Sequence, residues 1–286
     1  MHIKISDDFD LQKIADSGQC FRVREFGDGV YRFVTGSEVL YIKKRSAGCF
    51  EINCSEDTWN RVWTPYFDLA RNYLHIPEII PESDPYMQLA AKEGRGIRIL
   101  HQDPWEMLVT FIISQRKSIP AIKNSVELLT KRFGEAKVTP YETLYTFPTA
   151  LQLANADDHS LAACKLGYRV PYIKDAITKV MSGTVDLAAI SNLPDMELFD
   201  ALKTIRGVGD KVANCICLFS YGRIGAAPID TWIHKIIARE YGGCNPFPTY
   251  GEYAGIMQQF AFYYAISHKD RFADGNGCGP SRHSKP

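Results

Sequence analysis

TIRGVGDKVANCICLFSYGRIGAAPID, Thr204–Asp230, decides how the rest of the chain is read. A Gly-x-Gly turn (Gly207, Gly209) closes one helical pattern and opens another at Asp210, so the segment reads as helix, hairpin, helix. Glycine permits torsions closed to other residues and bares successive amides, and amides at a helix N-terminus bind phosphate. Such a hairpin can hold a DNA backbone without reading its sequence. Nucleotide-loop readings fail on spacing. A P-loop needs Gly-Lys-Ser/Thr, but Asp210 precedes Lys211 and Val212 follows it; a dinucleotide fingerprint needs a small residue at Val212 and a strand before the loop. Lys211 falls in the first turn of its helix, where stability alone would favour an acid or a serine. A neutral lysine amine is a nucleophile. Asp230, nineteen positions later, stands at the N-cap of TWIHKIIAREY, and two such residues at helix mouths can face one cleft. A plain helix connection with a surface lysine and a capping aspartate fits the same residues, so the segment alone leaves both readings open.

Working outward, 286 residues can bury a substantial core as one large domain or two modest ones, and the 45% apolar and 23% charged fractions are those of a globular protein. Lys plus Arg and Asp plus Glu both number 33, so a polyanion must be met by a local basic surface rather than by an overall field. The N-terminal MHIKISDDFDLQ is acidic and lacks the apolar run of a secretion signal, and no stretch approaches the ~18 apolar residues of a membrane helix, so no membrane role is expected. The eight scattered cysteines read as reduced thiols; Cys215 and Cys217 are close, but C-x-C on a helix points its sulfurs to different faces and makes a poor metal site.

The chain divides by period. Val30 to Lys44, VYRFVTGSEVLYIKK, holds two β-type runs broken by Gly36-Ser37, and CFEINCS continues the alternation from Cys49. From about Asp84 the pattern turns helical. Asp103-Pro104 caps WEMLVTFIIS, and stretches at 119–133, 149–154, 170–181, 195–205, 210–221, 230–241 and 250–268 carry caps or glycine stops. The expected fold is α+β: a small antiparallel sheet domain over residues 1–95 packed on an all-α domain of seven or eight helices over 96–268. The Gly-, Pro- and Ser-rich residues 269–286 are expected to form a mobile tail.

The stretch LKTIRGVGDKVANCICLFSYGRIGAAPIDTWIHKII resembles the helix-hairpin-helix, Gly/Pro-loop, aspartate signature of base-excision DNA glycosylases. DSGQCFR (16–22), IRILHQDPWEMLVTFIISQ (97–115), KLGYR (165–169) and YAGIMQQFAF (253–262) each resemble a further segment of the 8-oxoguanine DNA glycosylase family within that superfamily. The likeness spans most of residues 10–268. It implies a bifunctional enzyme that excises 8-oxoguanine from duplex DNA and then cleaves the strand as an AP lyase. Lys211 is implied as the nucleophile at C1′ of the sugar, and Asp230 as the charge that stabilises the cationic sugar. Chemistry at a sugar inside a duplex requires the nucleotide to be flipped into a pocket. The resemblance implies that Gly18 accepts the N7 proton peculiar to the oxidised base, that Gln258 faces its Watson–Crick edge, that Cys215 and Phe262 sandwich its ring, and that Pro228 completes the pocket.

The same resemblance implies DNA contacts by Arg116, Lys117, Gly207, Gly209 and Trp232. Tyr168 and Arg169 would wedge into the base stack, an unstacking cost regained through a bent duplex. The main-chain carbonyls of Lys203, Ile205 and Val208 would hold a cation bridging to a DNA phosphate; no cofactor is required for the chemistry. Three residues depart from the family pattern: Arg116 replaces an asparagine that fills the vacated space, Ala121 an arginine that reads the opposite cytosine, and Trp232 a histidine that contacts a phosphate. Arg116 is the candidate to replace the lost arginine, and opposite-base preference is expected to be broad. The implied partner is duplex DNA containing oxidised guanine, met by a monomer. It would work in the nucleoid of a prokaryotic cytoplasm or in a eukaryotic nucleus. Two other readings stand beside this one: a monofunctional alkylbase glycosylase, a class that generally lacks a lysine at position 211, and a non-catalytic DNA-binding module that uses the hairpin only for phosphates.

Overall fold

A computed structural model describes residues 1–272. Five antiparallel strands, β1 (His2–Lys4), β2 (Arg24–Glu25), β3 (Val30–Thr35), β4 (Glu38–Ser46) and β5 (Cys49–Ile52), form one sheet in the order β1-β5-β4-β3-β2. The β3–β4 register pairs Thr35 with Glu38 across Gly36-Ser37, and Gly36 takes the positive φ (53°) that so short a turn requires. One face of the sheet buries Phe33, Leu40 and Ile42 against Trp63 and Phe67, with no exposed surface on any of the five. A short helix, α1 (Leu11–Asp16), is capped by the Asp10 carboxylate and leads directly into Ser17 and Gly18.

The helical body is built from α2 (Pro85–Gly94), α3 (Pro104–Ser114), α4 (Ile119–Phe133), α5 (Val170–Met181), α6 (Asp195–Lys203), α7 (Asp210–Phe219), α8 (Thr231–Glu240) and α9 (Ala254–Ser267), with shorter helices at Ala150–Ala154 and Asp158–Ala163. Helix α3 starts where expected: Asp103 accepts from the Glu106 N–H at 2.8 Å and Pro104 occupies the first turn. Every residue from Glu106 to Ile113 is buried, so α3 runs through the middle of the body.

Three differences from the sequence reading have physical causes. Helix α2 lies within the first ninety-five residues yet packs along α9. A Cβ on Gly94 would lie 2.5 Å from the Phe260 ring, so the two helices meet at van der Waals distance. The helical part also carries a hairpin, β6 (Ala136–Val138) with β7 (Thr143–Tyr145), which reaches back to the sheet. There Glu142 pairs with Arg32, Tyr141 stacks on Tyr41 at 4.3 Å, and the Tyr41 and Thr139 hydroxyls are 2.7 Å apart. The span 96–268 is therefore not all-α. Residues 269–272 form a 3-10 turn whose Phe272 is buried, held by a two-pronged Arg271–Glu240 pair, rather than the start of a mobile tail. Residues 273–286 of that expectation lie outside the described residues. No described helix is long and apolar enough to cross a membrane.

Candidate active site

The hairpin between α6 and α7 depends on glycine at one position above all. Gly207 has φ +84°, and a Cβ there would lie 2.4 Å from the Tyr172 ring, so no side chain fits. Gln115 Nε2 donates to the Gly207 carbonyl at 3.0 Å, and the Arg206 N–H donates to Asp175 at 2.7 Å. These contacts fix the turn, and α7 then begins at Asp210 with Gly209 as its extended N-cap.

Lys211 and Cys215 are one helical turn apart on α7 and line the same cavity. Phe111 and Phe219 stack at 5.8 Å to form an apolar wall, and the Lys211 Nζ sits 5.2 Å from the Phe111 ring centroid, a cation–π contact. From Ile224 the chain crosses α9 at Gly255. The Gly255 N–H donates to the Ile224 carbonyl at 2.7 Å, and a Cβ on Gly255 would lie 2.3 Å from the Ala226 carbonyl oxygen. That close crossing delivers Pro228 and Asp230 to the cavity. Asp230 caps α8, accepting from the Ile233 N–H at 2.9 Å. Burial pushes the Asp230 carboxyl above the usual carboxylate range, against the opposing pull of the Ile233 amide and the Lys211 charge. Burial likewise raises the Cys215 thiol, with Lys211 pulling the other way, so the sulfur meets the cavity as a neutral, polarizable surface.

The remaining wall joins the sheet domain to α9. Gly18 (φ +78°), Gln258 and Phe262 all line the cavity, and the Phe262 ring lies so close that a Cβ on Gly18 would be 2.7 Å from it. Gln258 Oε1 is buried and has no hydrogen-bond partner among the described residues. A buried acceptor without a donor costs free energy unless something supplies one, and so it marks a ligand position. The cavity encloses about 50 Å³, well under the roughly 300–1,000 Å³ of typical small-molecule sites. The structure thus brings Gly18, Lys211, Cys215, Pro228, Asp230, Gln258 and Phe262 together. The sequence reading missed Phe111, Phe219, Ser17 and Gln259, which share the lining. In sequence these are an aromatic in an apolar run, another at a helix end, a turn serine and a second glutamine, and no spacing sets them apart from packing residues.

Outside the cavity the expected contacts divide. Tyr168 is 50% exposed, whereas Arg169 is 5% exposed. The Arg169 guanidinium donates to the carbonyls of Leu166 and Gln115 and stacks on Tyr168 at 4.3 Å. Of the expected wedge, the structure exposes Tyr168 and turns the Arg169 guanidinium inward onto two main-chain carbonyls, with its Nε left without a partner among the described residues. Lys117 is partly turned inward too, donating to Ser125 and to the Lys165 carbonyl at 2.5 and 2.6 Å, with burial foremost in lowering its pKa. Arg116 is exposed and holds φ +52°, a strained value for a side-chain-bearing residue. Ala121 and Trp232 are half-buried, and Lys235 lies 5.7 Å from the Trp232 ring. At the hairpin the Ile205 carbonyl accepts from the Val208 N–H at 3.0 Å, and Lys203 pairs with Asp210 at 2.7 Å.

A family model described as the N-terminal domain of 8-oxoguanine DNA glycosylase matches residues 2–108. A structure of the protein called MBOgg1, solved with a low-affinity DNA ligand, is 37% identical, with a TM-score of 0.89 over 94% of this chain and 96% of that one. The Clostridium acetobutylicum 8-oxoguanine glycosylase/lyase, solved with duplex DNA carrying cytosine opposite 8-oxoguanine, is 33% identical, with a TM-score of 0.87 over 94% of this chain and 98% of that one. A curated relative from Methanothermobacter thermautotrophicus, described as a probable N-glycosylase/DNA lyase, is 28% identical over 97% of this chain and all of its own length.

Proposed function

Because the chain belongs to the 8-oxoguanine DNA glycosylase family, we propose that the cavity between α7, α8 and α9 receives a flipped 8-oxoguanine nucleotide, with Lys211 as nucleophile and Asp230 as its electrostatic partner. The protein is a base-excision repair enzyme, a DNA N-glycosylase with an associated lyase activity. One observation carries the residue assignment: Lys211, Asp230 and the unpartnered Gln258 Oε1 converge on one cavity. Lys211 Nζ, once it has given up a proton, attacks C1′; the N-glycosidic electrons leave with the base, which takes up a proton. Loss of an amine proton and opening of the sugar ring give a Schiff base. Removal of a C2′ proton then expels the 3′ phosphate and cuts the strand. As positive charge develops on the sugar, the Asp230 carboxylate stabilises it, and an anion already fixed in an apolar wall needs little reorganisation to do so.

Gln258 supplies an acceptor for the donors of the Watson–Crick edge, while Cys215 and Phe262 cover the two ring faces. On the DNA side, Tyr168 would enter the stack, and Arg116, Lys117, Gly207, Gly209 and Trp232 would meet the backbone. The carbonyls of Lys203, Ile205 and Val208 are hard oxygen donors of the kind an alkali or alkaline-earth cation takes, and they would hold such an ion against a phosphate. One flipped base needs one subunit, so a monomer suffices, working wherever the cell keeps its genome. The test is borohydride trapping on an 8-oxoguanine duplex: a covalent adduct is expected with the native protein and none with Lys211→Gln. Base release without an adduct would point to a monofunctional enzyme, and DNA binding with neither activity to a binding module.

A further inference from the structure

Gly18 belongs to a loop whose two neighbouring carbonyls are both held by buried glutamine amides. Gln259 Nε2, on α9, donates to the Ser17 carbonyl at 2.5 Å, and Gln102 Nε2 donates to the Gln19 carbonyl at 2.9 Å. Both glutamines are buried, at 2% and 5% exposure. The Ser17 hydroxyl is fixed as well, donating to the Ile14 carbonyl at 2.7 Å and accepting from Gln19 Nε2 at 2.8 Å. Among the described residues no hydrogen bond is donated to the Gly18 carbonyl between them. With the peptide on either side of it held by a buried hydrogen bond, the Gly18 carbonyl is restrained in its orientation.

We infer that Gln259 is a specificity-determining positioning residue: by occupying the Ser17 carbonyl it fixes the Gly18 carbonyl as the free acceptor in the cavity, and so sets the preference for a purine that carries a proton on N7. The inference rests on the function proposed above. Helix geometry makes it economical. Gln258 and Phe262 are one turn apart and share the face that meets the cavity, while Gln259, about 100° further round, lines its edge and reaches the Ser17 carbonyl. One rigid helix thereby sets the distance between the acceptor at Gly18, the acceptor at Gln258 and the ring of Phe262. An undamaged guanine has an acceptor, not a donor, at N7. Against a fixed carbonyl it meets lone-pair repulsion; against a free one it meets a peptide that can turn away.

The experiment separates the base-dependent step from the base-independent one. Gln259→Met keeps length and volume but loses the donor. Single-turnover excision of 8-oxoguanine is expected to slow about tenfold, the size of one displaced hydrogen bond, while cleavage of a preformed abasic site, which brings no base into the pocket, stays within about twofold. In a Lys211→Gln background, the binding preference for 8-oxoguanine over guanine duplex is expected to fall by a similar factor. Equal losses on both substrates, or no loss on either, overturn the inference. If Gln259→Met does not fold, Gln102→Met, which frees the other side of the same peptide, must show the same split, and a uniform effect there refutes it. A native protein that excises no 8-oxoguanine refutes the proposed function as well; an active native protein with an unchanged variant refutes only the role of Gln259.

Discussion

Asp230 has two functions that a pair of substitutions can pull apart. Asp230→Asn keeps a side-chain oxygen for the Ile233 N–H, and asparagine caps about as well as aspartate, so α8 should start unchanged while the negative charge disappears. Asp230→Ala removes both. If the carboxylate is the fixed charge facing the sugar, each variant loses about 10²–10³ in single-turnover excision, the cost of roughly 2.7–4 kcal/mol that one preorganised group contributes. Only the alanine variant should also lose the cap, about 1 kcal/mol, which lowers Tm by about 2–4 °C relative to the asparagine variant. The pH dependence has a definite sign. Burial raises the folded carboxyl above its unfolded value of 3.8, so the folded state binds the proton more tightly, and native stability falls as pH rises through that window. At neutral pH the buried charge is a burden on the fold. Asp230→Asn should therefore match or exceed the native Tm there, and lose that advantage as the pH is lowered towards 4. The measurements are thermal denaturation across pH and excision kinetics on the same preparations. An asparagine variant within about threefold of native excision would refute the electrostatic role; one destabilised as much as the alanine variant would refute the cap.

Further outcomes are expected elsewhere. Gly18→Ala forces a methyl group to 2.7 Å from the Phe262 ring at a positive φ; it should destabilise the fold by about 1–3 kcal/mol and reduce 8-oxoguanine excision more than abasic-site cleavage, read by calorimetry and by gel assay. Tyr168→Ala should leave Tm nearly unchanged but weaken lesion binding, whereas Arg169→Met should lower Tm, since it leaves two main-chain carbonyls without their donor, at about 1–3 kcal/mol; the reverse pattern would put the arginine, not the tyrosine, in the DNA. Excision opposite the four bases should vary less than about tenfold, and Ala121→Arg should raise the rate opposite cytosine, a bidentate contact being worth about 1–3 kcal/mol.

Local chemistry was legible wherever one residue type answers one backbone demand. Gly36-Ser37 set the hairpin turn, Asp103-Pro104 the start of α3, and Gly207 the turn that leads to Lys211. The spacing of Lys211 and Asp230 became a site only through residues far away in sequence, at Gly18 and on α9. What was not legible depends on where a side chain turns after folding. Arg169 reads as a cation for DNA, but two nearby carbonyls take its guanidinium. Phe111 sits in a run that is apolar on every side, so periodicity gives no sign that one face meets Lys211. Ala136–Val138 and Thr143–Tyr145 are too short to declare themselves as strands; their partner surface, around Arg32 and Tyr41, lies about a hundred residues earlier. Gln259 looks like a duplicate of Gln258 until the 2.5 Å contact with Ser17 gives it a separate task.

The narrowness of the cavity, about 50 Å³ with the Phe262 ring resting on Gly18, bears on how such a protein patrols a genome. A purine needs more room than that, so admitting one requires the lining to yield. The cost of that rearrangement falls on every base that samples the site, and a base recovers it only by pairing with what lines the cavity, the unpartnered Gln258 oxygen included.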